Sequence, residues 1–192
     1  IATAEKERIV NLQLTASLVA SFPALKAMLE GTDSATIRDF LINYQQQYSR
    51  SELFVVLDPH GQVIARTDES EPGPIDIHSE TSVLTLESGT YQVAMAAAEA
   101  GGTTFGYILV GARIDDQFAR SLREITNDVV VIVGNRVLGS SIPMADLPWQ
   151  TRTEWENALG RADVRRTLDI KGETYEAVSI LFGTDSGPRP MA

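Results

Sequence analysis

The chain contains no cysteine, which excludes disulfide staples, thiolate nucleophiles and cysteine-ligated metal. That lack fits a secreted or periplasmic chain as well as a cytosolic one. Histidine occurs only as His60 and His78, too few to build a zinc site without cysteine, so no metal and no cofactor are expected. Positive charge is scarce: 16 Lys and Arg stand against 26 Asp and Glu, a formal net charge of -10. Such a surface repels nucleic-acid phosphates, and no nucleic-acid partner is expected. A small anionic ligand remains compatible with it, because one buried arginine overrides the global sign locally. No apolar run reaches the ~18 residues of a bilayer-spanning helix. The chain also begins at Ile1 without methionine. The expectation is a fragment cut free of a flanking signal or transmembrane helix.

Catalytic signatures are equally scarce. Gly101-Gly102 is not followed by the Lys-Ser/Thr pair of a phosphate loop, and no nucleophile-elbow pattern occurs. Asp58-Pro59-His60-Gly61 and Asp115-Asp116 lack the spacing of a calcium loop. His78, Asp76 and Ser79 can be assembled into a triad on paper, but such proximity is ordinary in a polar loop. Catalysis is not expected.

What is present is organised around Leu53–Thr67, LFVVLDPHGQVIART. Two β-branched runs flank a Pro/Gly turn, which predicts a β-hairpin. Pro59 presets an early turn position, Gly61 accepts positive φ, and the Asp58 side chain caps the turn. A lone hairpin buries too little to be stable, so further strands and a covering layer must follow.

In chain order, Ile9, Leu12, Ala16 and Val19 recur at helical spacing, with Leu14, Leu18 and Phe22 widening the stripe. Residues 1–22 therefore read as a helix, either packed on its own domain or shared with a second copy of the chain. Pro23 interrupts or restarts it. Asp33 or Ser34 caps a helix from about Ser34 to Tyr48, with Ile37, Phe40, Leu41, Tyr44 and Tyr48 inward. Asp68–Ser82 is aperiodic and reads as a long loop, which either covers a cavity or is an inert excursion. Tyr91–Ala98 and Thr104–Ile114 read as strands. The second is apolar on both parities, as a central strand is. Asp115 caps a helix to about Asn127. Val129–Val133 with Val137–Ser140, and Val164–Ile170 with Thr174–Phe182, read as two more hairpins. Trp149 and Trp155 fall in an irregular segment between them.

These parts repeat. In each half a helix precedes an apolar hairpin, LFVVLDPHGQVIA in one and DVVVIVGNRVLG in the other. A connection then leads to a strand opening Gly89-Thr90-Tyr91 or Glu173-Thr174-Tyr175, and Val63-Ile64-Ala65 corresponds to Val137-Leu138-Gly139. The first half continues into Thr104–Ile114, whereas the second stops at Ala192. The expectation is an α+β chain of two small lobes, each an antiparallel sheet with helices against it. The second lobe is expected to lack its last strand, either because the fragment ends early or because that lobe is truly one strand smaller.

With LFVVLDPHGQVIART, YILVGARIDDQFARSLREITNDVVVIVGNRVLGSS and the repeat in view, the chain resembles the double Cache (PAS-like) extracytoplasmic sensor domains of bacterial transmembrane receptors. It looks closest to the double sensory domain of two-component kinases. The resemblance implies a long N-terminal helix and two PAS-like lobes. It divides the chain into an N-terminal helical segment over 1–49, a membrane-distal lobe over 50–114, a connecting helix over 115–128 and a membrane-proximal lobe over 129–192. It further implies ligand sensing for a histidine kinase, chemoreceptor or cyclase, with the membrane reached only through flanking helices. The expected partners are a small organic ligand (an acid, an amino acid or an amine) and a second copy of the chain through the N-terminal helix. The competing expectation is a non-catalytic protein-interaction or structural module. The Tyr/Arg/Trp/Asp set of the amino-acid-binding members does not map onto this chain.

A ligand would sit between the first sheet and Asp68–Ser82. Arg66 can pair with its carboxylate, or with Asp68 or Glu69. Tyr91 and Tyr107 can line the pocket, with Met95 or Leu109 as its wall, or belong to plain core. Arg113 can face the cavity or pair with Asp115 or Asp116. His78 can hydrogen-bond a ligand or sense pH, or be an exposed loop residue.

Overall fold

The computed structural model describes residues 2–31, 33–48, 51–68, 83–123, 128–133, 136–143, 146, 165–170 and 172–178. The chain divides into two compact units, one spanning Thr3–Arg113, the other Ile114–Ala192 with Ile1–Ala2.

In the first unit, α1 (Ala2–Ser21) is followed by α2 (Pro23–Gly31) and α3 (Ser34–Tyr48). Pro23 opens α2, where its missing N–H costs nothing, and the path bends by 66° there. No single helix among the described residues is long and apolar enough to cross a membrane. Leu12, Ala16, Val19 and Ala20 form the buried face of α1. Leu14 and Leu18, expected to widen that face, are instead 62% and 52% exposed, and Val10 is 48% exposed. The helical period explains the correction: positions 10, 14 and 18 form their own stripe, turned well away from 12, 16 and 19. In α3, Ile37 and Leu41 are buried with Phe40 and Tyr44 packed beside them, while Tyr48, expected inward, is exposed in the last turn.

Asp33 caps α3: its Oδ1 accepts the Ala35 and Thr36 N–H groups at 3.2 Å, and Oδ2 accepts the Thr36 hydroxyl at 2.6 Å. The Thr36 side-chain and backbone hydrogen bonds hold its carboxyl below the ordinary carboxylate range. A folded-state value depressed in this way stabilises above the unfolded value, and the gain disappears as pH falls through the folded one. Asp33→Ala is therefore expected to lower Tm at neutral pH. Its gap from the parent, followed by thermal melts down a pH series, should close below the normal carboxylate range.

The strands are β1 (Leu53–Leu57), β2 (Val63–Arg66), β3 (Val83–Leu86), β4 (Gly89–Ala100) and β5 (Thr103–Arg113). They form one antiparallel sheet in the order β2-β1-β5-β4-β3. β5 is central, as its two-sided apolarity predicts. Asp58 closes the first hairpin by accepting the His60 and Gln62 N–H groups at 2.8 Å, and Gly61 takes a φ of 83°. His60 is exposed at that turn. β3 has no counterpart in the sequence reading, since four residues are too few to show a period.

Alternation sorts the strand residues onto two faces. Phe54, Val56, Ala94, Ala98, Ile108 and Val110 pack beneath the helices with Leu12, Val19, Leu25, Ile37 and Leu41. Gln92 shares that layer, fully buried, and neither of its amide atoms has a hydrogen-bond partner. Leu53, Val55, Leu57, Tyr91 and Leu109 cluster on the other face with Val63, Leu84, Leu86, Val93, Met95 and Tyr107.

In the second unit, Asp115 caps α4 (Asp116–Arg123) by accepting the Phe118 N–H at 2.9 Å. The remainder of the expected helix, to Asn127, lies outside the described residues, as do Trp149 and Trp155. β6 (Val130–Val133) pairs with β7 (Arg136–Ser140), and β8 (Arg165–Ile170) with β9 (Glu173–Val178). Phe118, Ala119 and Leu122 are the buried face of α4. Gly139 admits no side chain, because a Cβ there would collide with the Asp115 carbonyl.

The internal repeat extends to detail that only the register shows. Val56 pairs Ala65 and Leu57 pairs Val63, leaving Ile64 as the extra residue of a bulge. Val131 pairs Gly139 and Ile132 pairs Val137, leaving Leu138 in the same role. Thr67 Oγ1 accepts the Phe54 N–H at 3.0 Å, and Ser141 Oγ accepts the Val129 N–H at 2.8 Å. The second hairpins also match, with Leu84 opposite Tyr91 and Leu168 opposite Tyr175.

Candidate functional site

Four of the five expected site residues fall on one face of the first sheet, the face turned away from the helices. Arg66 stands opposite Val55, Tyr107 opposite Leu57, and Arg113 opposite Tyr91. Each pair shares a face because antiparallel partners do. The fifth, His78, lies outside the described residues, as do Asp76 and Ser79.

Three of the four converge. Arg66 makes a two-pronged ion pair with Asp68, its Nη2 reaching Oδ2 at 2.7 Å, and both side chains are only 7% exposed. Asp68 is the partner foreseen for a surface arginine, but the pair is buried. The same Asp68 Oδ2 accepts the Ser88 hydroxyl at 2.6 Å, and the Tyr91 hydroxyl lies 3.2 Å from Ser88 Oγ. The Arg113 guanidinium donates to the Ser88 carbonyl. It also lies where a Cβ at Gly89 would be, so that glycine, at φ 147°, leaves room for it. Ser88 thus takes the place of Asp115 or Asp116, the partners weighed for Arg113 as the alternative to facing the cavity.

The cluster has a geometric consequence. Asp68 follows β2 and Ser88 follows β3, and these are the two edge strands of the sheet. Four strand spacings in a flat sheet would separate them by about 19 Å. Their hydrogen bond shows that the sheet curls until its edges meet at one end. The curled face is apolar inside, lined by Leu53, Val55, Leu84, Met95 and Leu109, with a buried charged latch at the rim. Tyr107 sits apart from the latch, six positions from Arg113 along β5, among the apolar residues. Ser88 and Asp68 were not foreseen as site residues. A lone Ser in a turn carries no signal until the sheet curls, and Asp68 was foreseen only as a surface partner of Arg66.

This chemistry suits recognition. A buried guanidinium holds a planar carboxylate with two parallel bonds, and the apolar wall beside it takes an aliphatic body. Among the described residues, no group of three or more acidic or histidine side chains converges to hold a metal ion.

The fold, a helix-backed, curled antiparallel sheet followed in the chain by a second α+β unit, is shared with solved domains of bacterial receptors. In particular, the chain is similar to the periplasmic domain of Vibrio cholerae LuxQ, with a TM-score of 0.60 and 16% identity over 90% of this chain and 91% of that one. It is also similar to the ligand-binding domain of the Campylobacter jejuni chemoreceptor Tlp3, in complex with 4-methylisoleucine, with a TM-score of 0.50 and 14% identity over 90% of this chain and 78% of that one. No family model matches the chain, and no curated protein does. The α+β class expected from the sequence is the fold found.

Proposed function

We propose that this chain is the extracytoplasmic, non-catalytic sensing module of a transmembrane receptor, and that it binds a small organic ligand bearing a carboxylate on the curled face of the first sheet. The observation that carries this reading is the latch, Arg66–Asp68–Ser88–Tyr91, joining the two sheet edges through a buried ion pair. Asp68 fills an arginine fork that a ligand carboxylate fits equally well. A ligand that takes Asp68's place keeps Arg66 paired and releases Ser88. Occupancy then becomes a change in how the sheet closes. It can shift the balance of latched and unlatched forms only by its difference in affinity for them. Tlp3's domain holds a small amino-acid derivative, in keeping with a carboxylate head and an aliphatic body.

The change has a route to the helices. Arg8 donates to the Arg113 carbonyl at 2.6 Å, Gln13 to that of Met95 at 3.0 Å, and Lys26 to that of Glu99 at 2.7 Å. Movement of β4 and β5 therefore pulls on α1 and α2. In the full receptor, joint replacement of Arg66→Gln and Tyr91→Phe should abolish ligand-evoked output. Output unchanged by that pair of substitutions would remove the site.

The second partner is another copy of the chain, docked through α1. Val10, Leu14 and Leu18 make an exposed aliphatic stripe with no charged residue between Ile9 and Lys26. On a chain of net charge -10 most faces repel their own copy, and this uncharged one does not. Leu14→Glu should shift sedimentation from dimer to monomer. A parent that sediments as a monomer at high concentration would contradict the pairing.

A further inference from the structure

We infer that α1 has two positions on the first sheet, about one helical turn apart, and that Gln92 sets the balance between them. In the position described, Gln92 is fully buried beneath the helices, and neither of its amide atoms has a hydrogen-bond partner among the described residues. A buried amide left in this state is costly, and a leucine of similar shape would not carry that cost. A second arrangement, in which the amide is paired, accounts for its presence.

The surface around Gln92 suits such a movement. On the helix side of β4 it is followed by Ala94, Ala96 and Ala98, with Ala112 beside it on β5. Leu12, Ala16, Val19 and Ala20 of α1 pack in the same cluster. A row of methyl groups makes no ridges deep enough to key a helix into one register. Ala16 and Ala20 are one turn apart, so a one-turn shift sets one small residue in the place of the other. The tethers of α1 are equally transferable. Arg8 donates to the Arg113 carbonyl at 2.6 Å, and Gln13 to the Met95 carbonyl at 3.0 Å. Both reach backbone acceptors, and a strand repeats these about every 3.4 Å.

The tethers also give the direction. Arg113 stands opposite Tyr91, and Met95 lies further along β4, so α1 runs the same way as β4. Gln92, opposite Ala112, lies one row inside the Arg113 tether. Advancing α1 along β4 by one turn, about 5 Å, moves Arg8 from the Arg113 carbonyl to the side-chain carbonyl of Gln92. The buried amide gains a charge-assisted hydrogen bond, and the Arg113 peptide is released. The Arg113 guanidinium donates to the Ser88 carbonyl, so one residue meets both the latch and α1. Packed elements ratchet past one another by one turn in other two-state transitions.

The test is a pulsed spin-resonance distance measurement between nitroxides at Asn11→Cys on α1 and Glu87→Cys in the β3–β4 turn. Both positions are exposed, and the chain has no cysteine of its own. Excess unlabelled chain confines the signal to distances within one molecule. The parent is expected to show two distances, differing by about 3–5 Å, the longer belonging to the advanced position. Gln92→Leu should keep only the shorter and should melt several degrees above the parent. Arg8→Met should lose the longer distance as well. A single distance in the parent, a longer distance that survives either substitution, or a Gln92→Leu melt no higher than the parent's would each overturn the assignment. No ligand is present in these measurements, so failure here leaves the carboxylate reading standing, and failure there leaves this one.

Discussion

Arg66→Ala should destabilise the first unit by about 3–5 kcal/mol, the cost of leaving the other half of a buried ion pair without its counter-charge. Both members of the pair are 7% exposed, so water repays little of that cost. The loss does not stop at one bond. Asp68 also anchors Ser88, and Ser88 in turn is bonded by Tyr91 and Arg113, so the sheet edges lose their tie. Asp68→Ala should cost a similar amount for the converse reason, a guanidinium left without its carboxylate. Replacing both at once, Arg66→Met with Asp68→Asn, should recover much of the stability, because no buried charge remains. Denaturant melts of the three variants check this. A double variant as damaged as the sum of the singles would mean that the pair is not the latch described.

Phe54→Ala is the second large effect, expected at about 3–5 kcal/mol. Phe54 is fully buried on the helix side of β1, and its ring meets Tyr44 edge-on at 5.8 Å. Tyr44 in turn meets Phe22 at 5.7 Å, and Phe22 meets Phe40 at 6.0 Å. Removing the ring opens a cavity where α3 lies on the sheet, and a packed layer of this kind collapses only partly. Leu14→Ala, on the exposed face of α1, is the control and should change stability by less than about 0.5 kcal/mol in the monomer. Equal effects from the two substitutions would mean that the core is misplaced.

How much of this was legible in the sequence differs from element to element. The first hairpin was readable because Asp58, Pro59 and Gly61 each have one local job. The centre of the sheet was readable because β5 is apolar on both parities. The helix at Ser34–Tyr48 announced itself through Asp33 and the spacing of Ile37 and Leu41. β3 was invisible, since Val83–Leu86 is short and its partner lies across a two-residue turn. The exposed stripe of α1 was misread because Leu14 and Leu18 are as apolar as their buried neighbours, and periodicity says which residues share a face but not which face is covered. Of the site, Arg66, Tyr91 and Arg113 could be nominated from residue type and strand position. Asp68 could be nominated only as a surface partner of Arg66, and Ser88 not at all, because what joins them is curvature of the sheet, a property of five strands together.

The central claim is that the curled face of the first sheet binds a small carboxylate through the latch. The most direct measurement is a thermal-shift screen of the chain against amino acids and small organic acids, repeated on Tyr91→Phe with Arg113→Gln. A ligand at a hundred times its Kd adds about 2.7 kcal/mol to the folded state, enough to raise Tm by several degrees in a unit of this size. The account predicts such a shift in the parent for at least one carboxylate and its loss in the double variant. No shift from any carboxylate, or one that survives both substitutions, would contradict it.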